Sequence, residues 1–197
     1  MNDLFSSPLL WVEQPLRAPA ARSHYKILDG GGTLVAKASE EKVSLGRQAA
    51  RTAVGGARER TVQVTGPGGE PLVVIHARNE GGGRVLAPNG AVIGTLDASR
   101  RGNYHSRDLN DAAGRLVGTL EAAKVGRTYR VRDAAGTQVA RIDKKWTGVL
   151  KEMLTTVDRY RVEIHHPLYD PLRVLVAVSA VALDMIFFEQ KDWPVPG

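Results

Sequence analysis

The sequence predicts a mainly β domain, a meandering antiparallel sheet that curls or closes, with one apolar helix near its C-terminal end. Two observations carry this prediction. Short alternating runs return every about ten to twelve residues between glycine-rich turns. The stretch from Pro171 to Phe188 is apolar on every face. Strands at that spacing, joined by polar turns, belong to all-β architectures rather than to β–α–β units.

The turns come first in chain order. DGGG (29–32), GPGG (66–69), PNG (88–90), DAAG (111–114) and DAAG (133–136) each lie between short apolar or alternating runs. Asp or Asn ahead of Gly supplies the positive-φ positions that tight hairpins need. The strands that follow three of them are near copies: AVIGTLD (91–97), RLVGTLE (115–121) and TQVARID (137–143). TLVAKAS after Gly32 is related to them. In each, the fourth residue after the glycine is small: Ala36, Gly94, Gly118 and Ala140. A small residue there lets a strand bend or another element approach closely. A sheet that curls or closes is the favoured reading, with an open sandwich as the alternative.

One stretch departs from it. SLGRQAARTAV (44–54) has Ser as a cap and Leu45, Ala49 and Ala53 at helical spacing, which predicts a short surface helix ended by Gly55 and Gly56. The glycine clusters are turn-sized and the repeat runs through them, so a single domain over residues 9–190 is expected. Residues 1–8 and 191–197 are expected to be flexible ends.

The C-terminal helix opens at Asp170-Pro171, where Asp serves as a cap and Pro takes the first helical position. From Val174 to Leu183 it carries no charge. A helix apolar all round needs lipid or protein on every side. A bilayer span needs about 20 apolar residues. Arg173 and Asp184 bracket a shorter run, and a short Asp side chain is costly near hydrocarbon. Burial among strands is the better solution, with Asp184 hydrogen-bonded inside the protein. Arg173 and Asp184 are therefore the charged markers of a buried central helix.

The totals narrow the function classes. There is no cysteine, which excludes disulfides, thiolate metal sites and a palmitoyl anchor, and fits a reducing compartment. The N-terminal run MNDLFSSPLLWVEQP has no basic n-region or long apolar core, so no cleavable signal is expected and the location is expected to be cytoplasmic. The formal charge of +6 favours anionic partners. Basic residues cluster at Arg100, Arg101 and Arg107, near Asn103 and Tyr104, and at Lys144-Lys145 ahead of Trp146. Cations beside aromatics suit phosphorylated headgroups at an anionic membrane surface. Solvated loops and charged strands explain the same residues without a ligand. Nucleic acid is disfavoured, since charge alone speaks for it.

No catalytic constellation is visible, and an enzyme is not expected. His165 and His166 are adjacent, so on a strand they point to opposite faces and cannot share one metal ion. DGGG, GPGG and EGGG (80–83) lack the Lys and the strand–loop–helix setting of a phosphate loop.

The region before the helix reads KKWTGVLKEMLTTVDRYRVEIHHPLYDPL, and the helix ends in LDMIFFE. Trp146, Gly148, Lys151-Glu152, Thr155, Asp158, Tyr160 and Asp184 with Phe187-Phe188-Glu189 resemble the C-terminal signature of the phospholipid scramblase family, related to the tubby-like domains. LLWVEQP, YKILDGGGTLVA and the AGRLVGTLE-type strands extend the resemblance over residues 9 to 190. It implies a closed antiparallel barrel of about twelve strands around a central buried C-terminal helix. It also implies a membrane-associated role: peripheral binding of anionic phospholipid at the inner face of the plasma membrane, with lipid scrambling as the further activity. A ligand- or protein-binding barrel without lipid transport is the alternative. The resemblance does not carry over a calcium site. Only Asp158 stands where the family pattern is acidic, while Thr156, Pro167 and Tyr169 fill the other positions. Calcium takes six or more oxygens, several of them carboxylate. Asp158 is thus a remnant ligand, and no metal or other cofactor is expected.

Overall fold

The computed structural model describes residues 3–14, 24–40, 59–78, 81–100, 103–123, 127–146, 158–165 and 167–187. Twelve strands occupy most of this: β1 (Leu9–Gln14), β2 (His24–Asp29), β3 (Leu34–Glu40), β4 (Glu59–Thr65), β5 (Pro71–Arg78) and β6 (Gly83–Leu86). The second half comprises β7 (Val92–Ala98), β8 (Arg107–Asp111), β9 (Leu116–Ala122), β10 (Thr128–Asp133), β11 (Gln138–Trp146) and β12 (Asp158–Ile164). Each strand pairs antiparallel with its chain neighbours, and β1 pairs with β12, Leu9 opposite Glu163 and Gln14 opposite Asp158. That last ladder closes the sheet into a barrel and decides against the sandwich. Closure also leaves no free edge to recruit another strand.

The five predicted turns all form, and by one device. In each, the last glycine (Gly32, Gly69, Gly90, Gly114 or Gly136) has positive φ and its amide donates to the carbonyl three residues back. The register shifts by one residue beside every one of these hairpins, as a glycine bulge requires. Asp29, Asp111 and Asp133 stiffen their turns, each carboxylate accepting from the amides two and four residues on. Those amides and the Arg115 guanidinium hold the Asp111 carboxyl below the usual range, against the effect of burial. Gly114→Ala is expected to cost about 1 kcal/mol, because an L side chain resists this backbone region. A lower denaturant midpoint at unchanged slope is the check.

Alternation along the strands sends one face inward. Leu10 and Val12, Val62 and Val64, Val73 and Ile75, Leu109, Leu120, Val131, Ile142 and Val162 are all buried. They surround a helix, α1 (Leu172–Phe187), whose residues from Val174 to Ile186 are buried on all sides. Its Val-rich sequence has modest helix propensity, so the wall rather than the helix itself holds it in shape. Sixteen residues give a length of about 24 Å, short of the about 30 Å hydrocarbon of a bilayer. Among the described residues no helix is long and apolar enough to cross a membrane.

The small residues of the repeat are where the wall meets the helix. A Cβ at Gly94 would strike the Asn110 carbonyl and lie 3.0 Å from Leu175 Cδ1. At Gly118 it would lie 2.6 Å from the Arg132 carbonyl and 3.0 Å from Leu172 Cδ1. Ala36 and Ala140 are likewise fully buried.

Two expectations change at the chain ends. Residues 3–8 are not a loose end: Asp3 accepts hydrogen bonds from the Phe5 and Ser6 amides, and Leu4 is buried in the core. An apolar side chain at position 4 has barrel surface to cover, which fixes the segment. At the helix start, Asp170 grips the Arg173 guanidinium at 3.0 and 2.9 Å, while the first helical amides bond to the Tyr169 and Pro171 carbonyls. The predicted helix over 44–54 and the end at 191–197 lie outside the described residues.

Candidate functional site

The barrel has two unlike ends. The five tight turns and the start of α1 share one end. The opposite strand ends and the C-terminal end of α1 share the other, the loop end. Grooves of about 430 and 350 Å³ flank the Pro167–Leu168 segment at the turn end. The larger carries carboxylates, Asp133 and Asp170, among apolar residues, which makes it a poor anion site. Tyr169 is exposed there.

The loop end has a polar interior. Asp184 is only 1% exposed, and it accepts hydrogen bonds from Tyr25 at 2.9 Å and Tyr160 at 2.6 Å. Lys144 Nζ lies 3.5 Å from the same carboxylate and 5.1 Å from the Tyr160 ring centroid. The expected internal partners of Asp184 are thus two tyrosines and a lysine from three strands. Lys144 is not a surface cation: Ala140, Ile142 and Lys144 share the inward phase of β11. A carboxylate this deep needs its charge matched and its lone pairs filled, and this arrangement does both.

Arg107 is also inside, at 1% exposure, in the inward phase it shares with Leu109. Its Nη1 donates to the carbonyls of Tyr104 at 2.8 Å and Ser106 at 2.7 Å, and its guanidinium lies 4.3 Å from the Phe187 ring centroid. Among the described residues its Nε and Nη2 have no hydrogen-bond partner, and neither does the buried hydroxyl of Tyr129. Burial pulls the Arg107 pKa down and pushes the Tyr129 phenol up. Each also acts on the other: the arginine charge opposes the rise in Tyr129. Phe187, His105 and Tyr104 form an aromatic cover, with ring centroids 4.8 to 5.7 Å apart.

The remaining predicted cations do not converge. Arg100 is exposed beyond β7, Arg101 lies outside the described residues, and Lys145 is exposed on the outer face of β11. Arg173 is part-exposed at the helix start, paired with Asp170. Thr156 and the side chain of Asp158 lie outside the described residues.

A surface that sequence reading missed appears once the register is known. Arg130 faces Arg141 across β10–β11, Lys145 faces Arg159 across β11–β12, and Lys26 faces Lys37 across β2–β3. All six point outward. Trp11 on β1 lies 4.0 Å under Arg159 and 6.0 Å under Arg161. Carboxylates are present, since Asp143 binds Arg141, Glu13 binds Arg159 and Glu163 binds Arg161. Burial raises the Asp143 carboxyl, but the hydrogen bonds from Arg141 and Thr128 outweigh it and leave it below the ordinary value. Across β4 to β9 the outward positions are instead mostly Thr, Val, Gln, Asp and Asn. Like charges directly opposite destabilise a sheet, and the carboxylates beside Arg141, Arg159 and Arg161 offset part of that repulsion.

The fold and the family can now be compared with known proteins. The X-ray structure of a protein from Arabidopsis thaliana, AT5G01750, superposes with a TM-score of 0.54 at 15% identity, over 91% of this chain and 92% of that one. That likeness concerns the fold. No curated protein matches the chain. The family model described as Scramblase matches residues 21–190, nearly the whole barrel and its helix. The chain belongs to the scramblase family.

Proposed function

We propose that the protein binds anionic lipid surfaces peripherally, through the basic wall of β10–β12 and β1–β3, while α1 stays in the barrel. The observation that supports this reading is the set of like-charged pairs facing each other across the strands there. A plane of anionic headgroups would relieve their repulsion, at about 1 kcal/mol per Lys or Arg brought close to it. Trp11 adds an amphipathic ring of the kind that settles at headgroup depth. Calcium has no part in this scheme, because the cations meet the lipid directly.

Flotation with anionic and neutral vesicles is the test. Binding to anionic vesicles at low salt, loss of it above about 0.15 M salt, and no change on adding a calcium chelator are the expected results. Absence of binding to anionic vesicles at low salt would remove the proposal. The paired change Arg130→Gln with Lys145→Gln should weaken vesicle binding about thirtyfold. Its melting temperature should hold or rise, because two repulsive pairs disappear.

Scrambling is the stricter family activity and makes a heavier demand. A helix enclosed by strands offers no lipid pathway, so transport would require Asp184 to release its tyrosines. Vesicles across which lipid moves should therefore also show loss of amide protection over Leu172–Phe187.

A further inference from the structure

We infer that Arg107 and Tyr129 form an internal oxyanion site at the loop end of the barrel, one that takes a phosphate-type group. The donors are specific and idle. Arg107 Nε and Nη2 and the Tyr129 hydroxyl are buried without a hydrogen-bond partner among the described residues, although nearly all buried polar groups in folded proteins find one. Among the described residues no carboxylate ion-pairs with Arg107. Asp97 acts on it only from a distance, being held by Thr95 and Asn110 on the outer face.

A buried guanidinium with two of its three nitrogens unpaired among the described residues is costly, even with Nη1 held by two carbonyls and the Phe187 ring stacked on it. Its place in the inward phase of β8 therefore calls for a counter-charge. A planar guanidinium presenting adjacent Nε–H and Nη2–H groups matches two oxygens of a phosphate or carboxylate. Tyr129, two strands away, supplies a third donor. Asp184 is the acid nearest to this pair from the helix, and Lys144 already answers its charge. Tyr104, 57% exposed, covers this end with its ring edge-on to His105 and tilted against Phe187. This site does not depend on the outer wall.

The Arg107 Nε–H resonance, followed by nitrogen-15 NMR, reads the site directly. Two probes separate the sources of the oxyanion at constant ionic strength: inorganic phosphate, and a short-chain phosphatidylglycerol kept monomeric. A saturable shift with phosphate identifies a free-anion site, and a shift with the lipid alone identifies a headgroup site. No shift with either overturns the inference and leaves the donors to water. Tyr129→Phe removes an unsatisfied hydroxyl, so it should fold at least as stably as the parent and bind about tenfold more weakly. Unchanged affinity in that variant would overturn the site even where Arg107→Gln fails to fold. The Arg130→Gln, Lys145→Gln protein should titrate like the parent, which keeps this result separate from vesicle binding.

Discussion

Asp184→Leu is expected to destabilise the protein by about 3–5 kcal/mol, the usual result of removing one partner of a buried ion pair. The change takes from Lys144 its buried ion pair and from the Tyr25 and Tyr160 hydroxyls their carboxylate acceptor. Its larger volume adds nothing the barrel can use. Asp184→Asn keeps an acceptor for the tyrosines and should cost less. Adding Lys144→Met to Asp184→Leu should recover part of the loss, because the lysine charge goes with its carboxylate while the two hydroxyls have still lost the Asp184 oxygens. Thermal or denaturant unfolding of the parent, Asp184→Leu, Lys144→Met and the double variant forms a double-mutant cycle. Strict additivity would mean that Lys144 and Asp184 do not act as a pair.

Gly118→Val should be nearly as damaging, for the opposite reason. Its side chain has nowhere to go: the Arg132 carbonyl is fixed in the β9–β10 ladder and Leu172 belongs to the first turn of α1. Overpacking of a filled core costs about 1–3 kcal/mol, and a clash with ladder backbone sits at the upper end. Gly94→Val should behave alike against Asn110 and Leu175. Leu172→Ala in the Gly118→Val background should return only part of the stability, since the carbonyl contact persists. Full stability of Gly118→Val would show that helix and wall are farther apart than described here.

Much of this architecture was legible before any coordinates. The turn glycines, the small residue four places after them and the charge-free run in the helix are local signals, and each maps to one physical requirement. Barrel closure was not local, because β1 pairs with a strand from the far end of the chain. The partners of Asp184 were invisible for the same reason: Tyr25 is 159 residues away in sequence. Lys144 and Arg107 are different. Their inward phase could be counted from Ile142 and Leu109, but their charge argued for the surface, and burial with partners or stacking overrode that expectation. The basic wall could also have been counted across the hairpins at Gly32 and Gly136. Clusters along the chain drew attention to Arg100 and Arg101 instead, whereas register brings Arg130 to Arg141 and Lys26 to Lys37. The glycine bulge at each hairpin sets that register, and a one-residue error would have turned every cation inward.

The central claim is that Leu172–Phe187 is the core of a barrel, and that it stays there when the protein meets lipid. Hydrogen–deuterium exchange of its amides, measured free in buffer and again on anionic vesicles, tests this most directly. The helix amides are expected to be among the slowest to exchange in both states, together with those of β11 and β12. Helix amides that exchange rapidly in buffer, or that lose protection along with the strands when vesicles are added, would contradict it.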